Sequence, residues 1–139
     1  MIQIRSAKIK MNNLCNEIFS RFPEIKPLCS SGDEELTYLL MGYVVEWLNS
    51  IGKSGFSKDV IQRVISFSKW CEEQPRTKSA SDDIWTIFMV GFYENLFQEK
   101  YTKILIPKVM PKADVVANKD YLINWLGKDE YESVLKEYK

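Results

Sequence analysis

The sequence predicts an all-α protein, a compact irregular bundle of about six helices, and three observations predict it. Apolar residues recur at i, i+3, i+4 and i+7 through most of the chain. Prolines and glycines interrupt those stretches at helical lengths. No set of segments makes a convincing sheet, the one possible short strand being Lys-Ile-Leu-Ile at 103–106. The stretch Asp82 to Phe97, DDIWTIFMVGFYENLF, is the expected centre. Its apolar positions go all the way round a 3.6-residue projection, so a helix over 82–97 should be covered on every side. Glu94 and Asn95 interrupt it, and it is too short to be a membrane span.

The elements follow in order. From Ala7 to Phe22, Met11, Leu14, Cys15, Ile18, Phe19 and Phe22 mark a one-sided helix, which Pro23 and Pro27 end because neither can donate to a continuing turn. Ser31 and Glu34 stand at capping-box spacing, with Asp33 and Glu35 at the positive end of the next helix. That helix runs to Ile51 on Leu36, Leu39, Leu40, Tyr43, Val44, Trp47 and Leu48, and Gly52 and Gly55 supply its stop and turn. Ser57 is the expected N-cap of a third helix reaching Glu73.

The loop EEQPRTKSASDD has no apolar period and is the expected exposed segment, with Ser81 or Asp82 capping the central helix. Residues 99–117 are open between a short strand and a continuing helix, cut in either case by Pro107 and Pro111. Helices from Asn118 to Leu126 and from Asp129 to Tyr138, divided by Gly127, close the chain. LLMGYVVEWL and FMVGFYENLF look alike, but their Gly-to-Glu spacings differ, so no repeat is assigned. Gly42 and Gly91 read instead as places where helices approach closely.

With 139 residues, 1–139 reads as a single helical domain that can bury a core without staples. Lys+Arg and Asp+Glu both number 19, so no global field draws the chain to nucleic acid or an anionic membrane. Histidine is absent, which removes the commonest general base, the commonest zinc ligand and every Ser-His or Cys-His pair. Cys15, Cys29 and Cys71 are odd in number and lack metal spacing, which fits reduced thiols. MIQIRSAKIKMNN has no signal-peptide apolar run. The expectation is a cytoplasmic protein that is not an enzyme and needs no metal or cofactor.

Three polar groupings are candidates for function. Glu94 and Asn95 project toward apolar neighbours, Asn95 in line with Ile84, Phe88 and Gly91, and Glu46 lies at the edge of the second helix's apolar face. Such groups either bind something or tie down local backbone. Without histidine they cannot complete the Glu-x-x-His elements of a di-metal bundle. Glu72, Glu73, Asp82 and Asp83 flank the exposed loop and could present an anionic face to a basic protein, with Trp70 or Trp85 as aromatic anchor, although helix capping and solvation also explain acids there. Lys100, Lys103, Lys108 and Lys112 form a basic stretch with only Tyr101 to stack on bases. No Walker, GxGxxG, HExxH, GxSxG or EF-hand pattern occurs.

Arg21-Phe22-Pro23-Glu24-Ile25 after a first amphipathic helix, and Val90-Gly91-Phe92-Tyr93-Glu94-Asn95-Leu96, resemble the pattern of small helical bacterial proteins. Some of these resemble the immunity partners of secreted polymorphic or contact-dependent toxins. The likeness rests on packing motifs and stops at the lysine- and proline-containing stretch after Gln98. It implies a cytoplasmic protein that neutralises one toxin domain by stoichiometric binding, and it carries over no catalytic residue. Two other readings stay open: a small-molecule-binding domain or enzyme around Glu94, Asn95 and Glu46, and a structural or nucleic-acid adaptor using the lysine stretch.

Overall fold

A computed structural model describes residues 13–30, 32, 36–79 and 83–138, and the described residues form helices and turns only. Among the described residues the first helix is α1 (13–21), which buries Leu14, Cys15 and Ile18, and Phe22 continues that stripe. Pro23 then opens a 3₁₀ turn, Pro23–Leu28, which buries Ile25. α2 (Thr37–Gly52) and α3 (Lys58–Glu73) each lay one apolar face inward. Ser57 caps α3 as expected, its side chain accepting from Val60 N–H at 3.2 Å. α2 begins at Thr37 with Leu36 in the N-cap place, and Ser31 and Glu34, where a capping box was expected, lie outside the described residues.

Arg63 ties α3 to the turn after α1. It donates to both Glu24 carboxylate oxygens at 2.8 and 2.7 Å and to the Arg21 carbonyl at 3.0 Å. Its guanidinium also stands 5.3 Å from the Trp47 ring centroid. The hydrogen bond from Arg63 holds the Glu24 carboxyl below its ordinary range.

The central helix differs from expectation in an informative way. α4 spans 84–98 in three segments, Ile84–Phe88, a π-turn over Met89–Tyr93, and Glu94–Gln98. An uninterrupted α-helix would put Asn95 on the buried line of Ile84 and Phe88 and turn Phe97 outward. The π-turn takes up one extra residue, so Leu96 and Phe97 stay buried and Asn95 is only half-buried. Glu94 N–H bonds to the Met89 carbonyl, five residues back. Covering on every side does not hold either: Val90 is 39% exposed, and Trp85 and Met89 are half-buried.

α2 lies beside α4 and runs the same way. The Tyr38 ring and Met41 sulfur crowd Gly91, where an added Cβ would come within 2.9 and 3.0 Å of them. At the other end, Asn49 Oδ1 accepts from Tyr101 N–H at 2.9 Å. Gly91 is thus the close approach foreseen, but Gly42 is not: an added Cβ there meets nothing within 4 Å. Between α3 and α4 the core is aromatic. Phe67 stands edge-on to Phe22, Phe88 and Phe92 at centroid distances of 5.6, 5.3 and 6.0 Å. The hydroxyls of Ser68 and Tyr93 satisfy each other at 2.8 Å inside it.

The stretch left open between strand and helix is helical: α5 (Thr102–Val109) and α6 (Lys112–Ala117). Pro107 does not cut α5 but sits within it, and the helix ends two residues later. With no N–H on Pro107, the carbonyl one turn back has no α-helical donor, a loss tolerable only so close to the end of a short helix. Pro111 takes the N-cap place of α6. α7 (Lys119–Leu126) and α8 (Lys128–Lys136) follow, joined at Gly127, whose φ is +90°. Lys103 pairs with Glu130, and Tyr138 donates to the Met110 carbonyl at 2.7 Å, fastening α8 to α5. The all-α expectation therefore stands, with more and shorter helices after Gln98. No helix among the described residues is long and apolar enough to cross a membrane.

Candidate functional site

The loop between α3 and α4 is less anionic than its sequence implies. Asp83 does not face solvent: it is 1% exposed and occupies the N-cap of α4. Its carboxylate accepts from Thr86 Oγ1 at 2.6 Å, Thr86 N–H at 3.2 Å, Thr77 N–H at 2.9 Å, and Arg76 Nε at 3.1 and 3.0 Å. Burial alone would raise its pKa, but the hydrogen bonds from Thr86, Thr77 and Arg76 outweigh it and hold the carboxyl at about 2. Asp83 is therefore withdrawn as a contact residue, because its oxygens are already committed. Asp82 lies outside the described residues. Glu72 and Glu73 remain exposed at the end of α3. Trp70 is half-buried, and Trp85, also half-buried, stacks on Phe88 at 5.6 Å.

This arrangement has a pH signature. The folded pKa of Asp83 is depressed below the ordinary aspartate value of about 3.9. Its contribution is therefore complete above about pH 4 and is lost as pH falls from there toward 2. Asp83→Asn keeps one capping oxygen but replaces the charge and the second acceptor with an NH2 donor facing the Arg76, Thr77 and Thr86 donors, and should cost about 1–2 kcal/mol at pH 7. Chemical denaturation from pH 7 down to 2 should show the gap between wild type and variant closing below pH 4. A gap unchanged at pH 2 would mean that the charge of Asp83 contributes nothing.

The second grouping divides. Glu94 leaves the candidate set because its carboxylate accepts from the Tyr121 hydroxyl, whose pKa burial and that bond push up to about 12. Asn95 Nδ2 donates to the Gly91 carbonyl at 2.7 Å, tying down backbone inside the π-turn. Its Oδ1 remains, and Asn95 faces a groove together with Glu46. Gly42, Val45, Glu46 and Asn49 of α2, with Asn95 of α4 and Glu99 just beyond it, line a surface hollow of about 450 Å³. Glu46 and Glu99 form no ion pair with any described residue. The open space at Gly42 is the floor of this groove.

The groove's edge is apolar toward the start of α2. Tyr38 is one turn before Gly42, and Leu39 is two turns before Glu46, and they are 46% and 37% exposed. Two unpaired carboxylates and an amide oxygen make the groove mainly a hydrogen-bond acceptor, suited to a guanidinium or ammonium group. Sequence reasoning found Glu46 and Asn95 but missed Gly42, Asn49 and Glu99. A signal was there: Gly42, Glu46 and Asn49 recur at i, i+4 and i+7, a non-apolar line beside the core stripe of α2.

The basic stretch is dispersed. Lys100 lies over the Tyr101 ring at 5.4 Å, Lys103 is paired with Glu130, and Lys108 and Lys112 are exposed on separate helices. Among the described residues, no three Asp, Glu or Cys side chains gather to hold a metal ion. Comparison of the chain with protein-family models, with curated proteins and with solved structures gave no match.

Proposed function

We propose that the chain is a protein-binding module that neutralises its partner by stoichiometric binding, most concretely an immunity protein that occludes a cognate toxin. Its contact face is the α2–α4 groove. One observation carries the reading: Glu46 and Glu99, unpaired and on different segments, flank an open floor at Gly42, beside half-exposed Tyr38 and Leu39. An acceptor-rich hollow next to an exposed aromatic is what a basic cleft, such as that of a nuclease, would dock against. The charges would steer approach, and the tyrosine would supply apolar contact. Glu72 and Glu73 form a second acidic place, but Arg76 and Lys78 lie in the loop that follows them.

The same groove serves the small-molecule reading, since Glu46 and Asn95 converge there. Glu94, engaged with Tyr121, does not join them.

Gly42→Met separates binding from folding. It fills the groove from its floor, and replacing a glycine inside a helix should raise stability by up to about 1 kcal/mol. Wild-type protein immobilised in extract of its source cells should retain one protein partner in a one-to-one complex. Gly42→Met, and Glu46→Lys with Glu99→Lys, should bind the purified partner at least a hundredfold more weakly, while Glu72→Lys with Glu73→Lys should bind it normally. Full binding by both groove variants would remove the groove from the reading. Loss only in the Glu72 and Glu73 variant would move the contact to the end of α3. If no protein is retained but arginine methyl ester gives saturable NMR shifts at Gly42, Glu46 and Glu99, the small-molecule reading takes its place.

A further inference from the structure

The last three helices carry more apolar surface than the core uses. Val115, Leu122 and Val134 are buried, and the residue after each, Val116, Ile123 and Leu135, is apolar too. A helix turns by about 100° per residue, so each follower lies at the edge of its core stripe. These edges meet. Val116, Ile123 and Leu135 line one surface hollow of about 240 Å³ together with Tyr131, and Val116 is 51% exposed. Lys119 and Lys128 stand at the rim with a single acid, Glu132. Neither lysine is ion-paired with a described residue, whereas Lys103 nearby in the fold has Glu130.

We propose that this hollow binds a single-chain carboxylate amphiphile, a free fatty acid of medium length. Its tail lies along Val116, Ile123 and Leu135, and its carboxylate is held at Lys119 and Lys128. Charge complementarity selects the head group: two unpaired ammonium groups against one carboxylate leave the rim positive, and an anion at the end of an apolar tail answers both features. Size selects the tail. The hollow is smaller than the roughly 300–1,000 Å³ of sites for drug-sized ligands, so one short chain fits and a two-chain lipid does not. The site is separate from the α2–α4 groove and does not depend on how that groove is used.

The test is NMR titration of the full chain with hexanoate, octanoate and decanoate, each below its aggregation concentration, and with decylammonium as the same tail under the opposite charge. Saturable one-to-one shifts should cluster on Val116, Lys119, Ile123, Lys128 and Leu135. Each added methylene should tighten binding about three- to fourfold until the hollow is full. Decylammonium should bind at least tenfold more weakly than decanoate. Lys119→Glu with Lys128→Glu should weaken decanoate binding at least tenfold, and Val116→Trp, an exposed substitution that fills the hollow, should abolish it. Shifts that do not saturate or that map elsewhere would overturn the proposal. So would equal binding of the two head groups, or concentration-dependent shifts without ligand that show a second copy covering the hollow.

Discussion

Removal of Val90 from α4 is expected to leave a cooperatively folded protein, and removal of Ser66 from α3 to destroy it. Both residues are exposed and lie near the middle of a helix, so burial of the lost side chain does not separate them. Register does. In α3 the buried positions Val60 and Val64 precede the deletion, and Phe67, Ser68 and Cys71 follow it. Losing one residue rotates one set by about 100° relative to the other. Whichever set keeps its place, large side chains on the other leave the core, at about 1.5–3 kcal/mol each. That is comparable with the whole stability of a domain, about 5–15 kcal/mol. In α4 the π-turn already holds one residue too many. Without Val90, Ile84, Ile87, Phe88, Phe92, Tyr93, Leu96 and Phe97 fall into a plain α-helical stripe facing the core they face now. The cost should stay within about 2 kcal/mol, a melting shift of up to about 8 °C for a chain of this size. Circular dichroism melts of both deletions decide the matter, with Ser66→Ala measuring separately the hydroxyl that accepts from Arg21 at 2.6 Å. Equal collapse of both deletions would show that the π-turn is not a separable insertion.

The same turn explains what the sequence could and could not reveal. Class and most helix positions follow from periodicity, because Leu14, Cys15, Ile18 and Phe22, or Val60, Val64, Phe67 and Cys71, repeat at spacings only a helix brings to one side. A projection at a fixed 3.6 residues per turn has no place for an inserted residue, so it put Asn95 on the core line, and an uninterrupted helix of that register would turn Phe97 outward. The chain resolves that conflict locally, since burying one amide and exposing one phenylalanine costs more than one irregular turn. The site was half visible for a related reason. Glu46 and Asn95 are polar residues at the edges of apolar faces, a one-dimensional signal. That α2 and α4 run side by side in the same direction, and so bring Asn49 and Glu99 to the same hollow, is tertiary and has no signature in either helix alone. Asp83 shows the opposite error. Counted as one of two adjacent acids it looked like surface, yet the Arg76 that satisfies it lies within the loop, seven residues earlier. The position three residues before Thr86 was the better guide to its fate.

Truncation of Phe67 to alanine should be the most damaging single substitution in the chain, costing about 4–5 kcal/mol, the upper part of the range for a buried phenylalanine. The ring is fully buried and meets three others edge-on: Phe22 after α1, and Phe88 and Phe92 on the two sides of the α4 segment boundary. Each such pair contributes about 0.5–1.5 kcal/mol beyond area burial, and the three are lost together with the side chain's own transfer term. Collapse to fill the cavity is limited on both flanks. Phe22 is held between Pro23 and Trp47, 6.3 Å away, and Phe88 is packed on Trp85, Phe92 and Tyr93. Phe67→Leu keeps most of the volume and should cost less than half as much, which separates the cavity from the ring contacts. Phe56→Ala, at a half-buried ring outside this cluster, should cost less than either. Urea denaturation followed by near-ultraviolet dichroism gives all three values. A loss below about 2 kcal/mol for Phe67→Ala would mean that α1, α3 and α4 are held together chiefly by the aliphatic contacts around the rings, with the aromatic cluster as filling.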